Sequence, residues 1–470
     1  MRRLAFILLA VSLCLSQQSS AFWQSRDSNY NGNVFATYYI ATTGNDSNAG
    51  TSGSPWLTPN HAINCGDTIL AAAGTYSSGN FANGKWGTVS NCPSPAGVYF
   101  ARLSCVGPYL QSCAINDTAS NATRVDASNW AVVGWTVSST VGACFYATPS
   151  TTANLHHIAF INSYAKNCKN SGYQFAPYYA NMAYGIDQSA IVGAIAYNGA
   201  AGGSECFSGA SIYEPKNVGA TSGTHIFLAG VFSISNLDPV TGCPGNSDGE
   251  GVIFDDWASQ QSTGIAYTSQ GVLEQSMMLG NGSAGVEVFS TTSAPIMIKS
   301  TTAYGDYQST VHAGTYNGEG LINSGHYSTW TGNIFQASLQ TQNGNNVYGF
   351  LVGTGMFTAD ATNTVSGNYI FGVSGLNTSN QGSGFTFGSN TLATPDFVSP
   401  TVPSSAPDCS AAATTTACMA TVIANFVAQA SGAASLGYQA PGSCTADAYW
   451  PTWLNGVVPV GLITQPCGTN

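Results

Sequence analysis

The chain has 470 residues, and only 7% are charged, which excludes a long-helix or coiled-coil protein rich in Glu, Lys and Arg. With 44% hydrophobic and 11% aromatic residues a core can form, which excludes a charged disordered chain. Ten basic residues and a net charge of -11 argue against nucleic acid or an anionic membrane as partner.

The chain opens on a targeting pattern. Met1-Arg2-Arg3 is basic, Leu4 to Ser16 is apolar, and Ser19-Ser20-Ala21 places small residues for cleavage after Ala21. Residues 1–21 read as a secretory signal peptide, too short to span a bilayer. Leu13 before Cys14 is too large for a usual lipoprotein cleavage site, so no lipid anchor is expected. No later apolar run reaches about 18 residues, so the mature protein is expected outside the cell or at its surface.

Next, Tyr38–Ile40 reads as a strand, Thr58–Ile63 as a short helix capping the N-terminal end, and Gly66–Ala71 as a first coil. A Gly-led, apolar-alternating segment then recurs. It begins at Gly142, Gly172, Gly209, Gly251, Gly285, Gly320, Gly349 and Gly384, roughly every 35 residues. Second apolar segments follow, as in His157–Asn162, Ala190–Asn198, His225–Phe232 and Pro295–Lys299. Short strands of period two, repeated with Gly, Asn and Ser turns, predict a β-solenoid. One coil cannot bury its inward side chains alone. Stacked coils can, with parallel strands about 4.8 Å apart and Asn or Ser side chains laddered at the turns.

Ser399–Pro407 reads as a linker. Ala411–Ala430 has helical propensity, with Met419, Val422, Ile423, Phe426 and Val427 on one side, and is expected to cap the C-terminal end. A tail from Cys444 to Cys467 follows. The predicted organisation is leader 1–21, coils with N-terminal cap 36–397, and linker, cap helix and tail 398–470.

Thirteen cysteines less Cys14 leave twelve, which suits disulfides in an exported protein. Nearest-neighbour pairing gives Cys65–Cys92, Cys105–Cys113, Cys144–Cys168, Cys206–Cys243, Cys409–Cys418 and Cys444–Cys467, with other connectivities open. No C-x-x-C or H-x-x-x-H spacing supports zinc.

Tyr39-Ile-Ala-Thr-Thr-Gly-Asn-Asp-Ser-Asn48, Cys65-Gly-Asp-Thr-Ile69 and Gly74-Thr-Tyr76 resemble the opening of secreted right-handed parallel β-helix proteins of the pectate-lyase-like superfamily. Asp248–Asp255 and Asn281–Val288 resemble their mid-chain coils. The resemblance spans Ala36 to Phe397. It implies an all-β, right-handed parallel β-helix, and a polysaccharide lyase, glycoside hydrolase, epimerase, tailspike or non-catalytic surface protein.

Counted from each repeat glycine, offsets +1 and +3 are mostly apolar and should face inward. The outward +4 column then reads Tyr146, Ala176, Tyr213, Asp255, Phe289 and Ser324. At +5, Glu214 and Asp256 fall on adjacent coils. Glu205, Asp248 and Glu250 precede the same strands, making this the densest acidic stretch of a chain poor in charge.

Three readings stand. Asp255, Asp256 and Glu214 are acid–base carboxylates for an extracellular polysaccharide, with Tyr213, Phe289 and Tyr146 as sugar platforms. Alternatively Asp248, Glu250 and Glu205 hold Ca²⁺ and Lys216 is the base of a β-elimination, with Lys299 less favoured. Otherwise these are solvated turn acids of a non-catalytic adhesive or filament protein that self-associates. The motifs of polygalacturonase-like hydrolases are incomplete here, and no Arg follows Arg124, so no catalytic role carries over from those families. The six histidines read as packing or surface residues.

Overall fold

The structure is a computed structural model. It describes residues 29–30, 33–94, 97–118, 123–150, 153–177, 181–202, 206–239, 248–309, 317–338, 341–342, 344–353, 362–372, 376–377, 385–441, 447–459 and 461–466. Residues 1–21, Glu205, Cys243, Cys444 and Cys467 lie outside them.

Strands pair in parallel from coil to coil. Tyr173–Phe175, Ala210–Tyr213, Val252–Asp255, Val286–Thr291, Gly318–Gly325 and Tyr348–Gly353 are each bonded to the next, within a nine-stranded sheet that forms one face. We call it the third face. The first and second faces share a nineteen-stranded sheet, because long strands such as Leu155–Cys168, Ile186–Tyr197 and Thr224–Ile234 bend from one to the other. The bend is a column of left-handed residues that includes Gly134, Asn162, Gly193, Gly230, Gln275 and Ser300. The chain is a parallel β-helix.

Its interior follows from the alternation. On the first face Phe160, Ile191, Leu228, Leu273, Ile298 and Trp330 are in register and face inward. On the third, Ile212, Phe254, Val288, Ile322 and Val352 do the same. Each methylene so buried contributes about 0.8 kcal/mol. Turns are satisfied by the expected ladders. Asn236 Nδ2 donates to Asn281 Oδ1 at 2.8 Å, and Asn281 Nδ2 to Asp306 Oδ1 at 2.8 Å. Asn333, Asn368 and Asn390 repeat the pattern at 2.9 Å.

The C-terminal segment lies along the flanks. Phe397, Met419 and Phe426 belong to one apolar cluster with Phe232, Ile234, Met277 and Leu279 of the second face. Trp450, Trp453, Leu454 and Leu462 cluster with Ala131, Ala159, Ala190 and Ala229 on the outer side of the first. Small outward residues leave room for this layer. At Gly193 (φ 57°) a Cβ would come within 2.3 Å of Leu462 Cγ.

Two expected helices change. Thr58–Ile63 is not helical; the Thr58 amide and hydroxyl bind Asp46 at 2.8 and 2.9 Å, which fixes bends there instead. The long C-terminal helix is two short ones, Thr415–Cys418 and Ala420–Asn425, and they flank the coils instead of covering their end. The pairs Cys65–Cys92, Cys105–Cys113, Cys144–Cys168 and Cys409–Cys418 form, and Cys206 is also disulfide-bonded. Among the described residues no helix is long and apolar enough to cross a membrane.

Candidate functional site

With the first two faces flanked by the tail, the third keeps half-buried aromatic and acidic side chains on its outer side. Tyr213 pairs with Asp255, and the pairing of Phe254 with Val288 brings Phe289 beside Asp255 on the next coil. Phe289 in turn pairs with Asn323. The outward column is therefore Tyr213, Asp255, Phe289 and Asn323, with the first three half-buried.

Tyr146 and Ser324 do not belong to it. Tyr146 pairs with Gln174, Gln174 with Ser211, and Ser211 with Ile253. That is the neighbouring outward column, two residues away. There Arg124 Cζ sits 5.9 Å from the Tyr146 ring centroid, a cation–π contact. Gly320 pairs with Val286, one place later than the glycine count assumes, so Asn323 takes the place expected for Ser324. A one-residue shift changes the face of every side chain after it.

Where the chain leaves the third face, Glu214 and Asp256 occupy equivalent positions on adjacent coils, as expected from the +5 offset. Both backbones are left-handed, at φ 41° and 47°, as are Ser290 and Ser324 at 50° and 62°. Glu214 and Asp256 are fully buried, not solvated, and the Glu214 carboxyl raises the Asp256 pKa. Burial pushes the Asp256 carboxyl up to about 6, against the pull of the Gln260 and Gln261 amides at 3.0 and 2.7 Å and of the Ser290 hydroxyl at 2.8 Å.

Glu214 Oε2 accepts from Lys216 Nζ at 3.3 Å, from Ser259 Oγ at 3.1 Å, and from Ser262 Oγ. Lys216 Nζ also donates to Ser259 Oγ at 2.9 Å and Thr263 Oγ1 at 3.4 Å. Residues 260–265 are exposed and lie over this corner through Ser262 and Thr263. The far end of the same loop is fixed by Tyr267, whose hydroxyl donates to the buried Asp187 at 2.5 Å. Asp187 also pairs with His225 Nδ1 at 2.9 Å. Asp187, Ser259 and Ser262 carry no local signal in the sequence, because they meet partners on other coils.

Asp248 and Glu250 meet a third acid, Glu287, that sequence reasoning missed. Glu250 and Glu287 influence each other's ionisation, Ser208 Oγ donates to Glu250 Oε2 at 2.6 Å, and Asn323 Nδ2 to Glu287 Oε1 at 3.0 Å. Burial pushes Glu287 up to about 7. Burial, then Asp248 and Glu287, holds Glu250 well above the usual carboxylate range. Asp255 is raised too, by burial first and then by Asp248, Asp256, Glu287 and Glu214. Among the described residues no three His, Cys, Asp or Glu side chains are arranged to hold a metal ion. Lys299 is remote from this corner, bound to Glu274 and to Asp447 of the tail at 2.7 and 2.9 Å.

No family model and no curated protein matches the sequence. Solved structures share its coils. The pectate lyase Pel9A is 15% identical with a TM-score of 0.43, covering 77% of this chain and 83% of that one. The A-module of the mannuronan C-5 epimerase AlgE4 from Azotobacter vinelandii is 13% identical with a TM-score of 0.32, covering 70% and 91%. A rhamnogalacturonan lyase is 14% identical with a TM-score of 0.32, covering 78% and 91%. The coil architecture itself is a parallel β-helix. At these identities and scores no residue role carries over from them.

Proposed function

We propose that the protein binds an extracellular polysaccharide along its third face and hydrolyses it by acid–base chemistry at the Glu214–Asp256 corner. The observation that carries this is the buried Asp256 carboxyl, its pKa raised by burial and by the adjacent Glu214, beside a third acid, Asp255, on the outer side. Asp256 keeps a proton at mildly acidic pH and supplies it to the glycosidic oxygen. Water adds to the ring carbon beside Asp255 as the bond breaks, and its proton returns to the Asp256 carboxylate that gave one up. Tyr213 and Phe289 offer flat apolar faces to sugar rings, and Tyr146 extends that surface on earlier coils. Entry of a sugar displaces Ser262 and Thr263 from over the corner.

Lys216 suits this reading better than the base of a β-elimination. Its ammonium is spent on Glu214, Ser259 and Thr263 and is nearly buried, so it positions Glu214. The test is a glycan screen read by reducing ends and by absorbance of unsaturated uronate ends. Hydrolysis releases reducing ends without unsaturated ones, and Glu214→Gln and Asp255→Asn abolish the release. Unsaturated ends would identify a lyase. Binding without release, unchanged in both variants, would identify a non-catalytic surface protein.

A further inference from the structure

Lys299 is where the C-terminal tail meets the coils through charge, and the groups around it do more than pair ions. Strand Gln270–Glu274 pairs with Ile296–Lys299, so Glu274 and Lys299 stand side by side on adjacent coils. Glu274 is fully buried, and its Oε2 accepts no hydrogen bond although Lys299 Nζ lies 2.7 Å away. Gln275 Nε2 holds the other oxygen, Oε1, at 3.1 Å and also donates to Thr464 O of the tail at 3.2 Å. Asp447 Oδ1 accepts from Lys299 Nζ and from the Tyr449 amide, both at 2.9 Å. The Tyr449 ring, 4.9 Å from Nζ, covers the amine.

Such a set can condense. Amide formation needs an uncharged amine and an uncharged acid in contact, with a group beside them that moves protons. Burial pushes Glu274 up to about 7, so it keeps its proton in mildly acidic solution. Passing one proton from the Lys299 ammonium to Asp447 then leaves three uncharged groups, which burial favours. The two acids hold Lys299 mainly as the ammonium, so that set is the minor one, and loss of water draws it off.

We propose that Lys299 Nζ and Asp447 Cγ become joined in an isopeptide bond that fixes the tail to the coils. The Nζ lone pair adds to Cγ, and the Tyr449 amide holds Oδ1 while it carries negative charge. Glu274 takes a proton from the nitrogen and gives one to Oδ2. The Cγ–Oδ2 bond breaks, and water leaves past the partly exposed Lys299 side chain. Amine and acid become amide and water, and Glu274 ends as it began.

In the folded chain the ion pair and the bond hold the tail alike, so the test unfolds it. Lys299 is the last Lys or Arg of the sequence, and trypsin does not cut after a Lys whose amine is acylated. The full chain is purified, reduced, denatured, digested and weighed. The expected product is one fragment, 217–470, uncut after Lys299 and lighter than its sequence by one water. Glu274→Gln and Asp447→Ala are expected to be cut there into 217–299 and 300–470 at their unmodified masses. Lys299→Arg keeps the ion pair without the bond and is cut as well. Complete cutting of the native chain after Lys299, or an uncut fragment of full mass, overturns the bond. A water-depleted fragment as abundant in Glu274→Gln as in the native chain overturns the part given to Glu274. The native digest decides even where a variant does not fold.

Discussion

Glu214 and Asp256 turn the chain at the same point of successive coils, and burial together with Glu214 holds a proton on Asp256 up to about pH 6. Glu214→Gln tests that proton. The amide does not hold it on Asp256 as the carboxyl does, so the fold is retained while the acid is lost. Hydrolysis falls by about 10²–10⁴-fold, with Tm changed by no more than a few degrees. In the native protein activity declines as pH rises through about 6, where Asp256 gives up its proton. A rate that keeps climbing above neutrality would remove the pair from the acid role.

Stability should share that direction. Glu274 and Glu287 are pushed up to about 7, and Asp256 and Asp306 up to about 6, in each case by burial first. A carboxyl whose folded value is raised stabilises the fold fully below its unfolded value, near about 4, and loses that contribution as pH rises through the folded one. Tm is therefore highest near about pH 4–5 and falls by roughly 5 °C or more towards about pH 7.5. Thermal melts across that range decide it, and a Tm that rises with pH contradicts the paired, protonated acids.

Lys216 and Glu214 should couple energetically. Lys216→Met leaves the buried Glu214 carboxylate without its cation and costs about 3–5 kcal/mol. Adding Glu214→Gln removes the stranded charge and restores about 2 kcal/mol. A double-mutant cycle by denaturant unfolding measures this. Strict additivity would mean that the ion pair does not hold the corner.

The stack was legible because its signal is local. Val252, Phe254, Val286 and Val288 alternate as inward residues must, and Gly209, Gly251 and Gly285 keep phase with one another. Gly142 and Gly320 do not, because a glycine marks a turn and turns differ in length, so the register has to be read from the paired strands. Glu214 and Asp256 were found because both follow in-phase glycines. Glu287 was missed because it sits inside a strand and meets Glu250 only across coils. The flanking tail left a trace that went unread. Ile158–Ile161 and Phe227–Ala229 are apolar on both sides of the strand, the mark of a sheet covered on both faces.

That covering layer has one electrostatic latch. Lys299 Nζ lies 2.7 Å from Glu274 Oε2, 2.9 Å from Asp447 Oδ1 and 4.9 Å from the Tyr449 ring centroid. Burial alone would lower the Lys299 pKa, but the two acids outweigh it and raise it. Lys299→Met leaves Glu274 and Asp447 facing each other without a cation, one on the coil and one on the tail. The tail should then lift first at that point, while Trp450 and Trp453 still anchor it by apolar contact with the first face. Hydrogen exchange over residues 447–455 is expected to quicken by about tenfold, with strand Ile186–Tyr197 unchanged. Lys299→Arg keeps the charge and should restore protection. Equal exchange in Lys299→Met and the native chain would show that apolar packing holds the tail by itself.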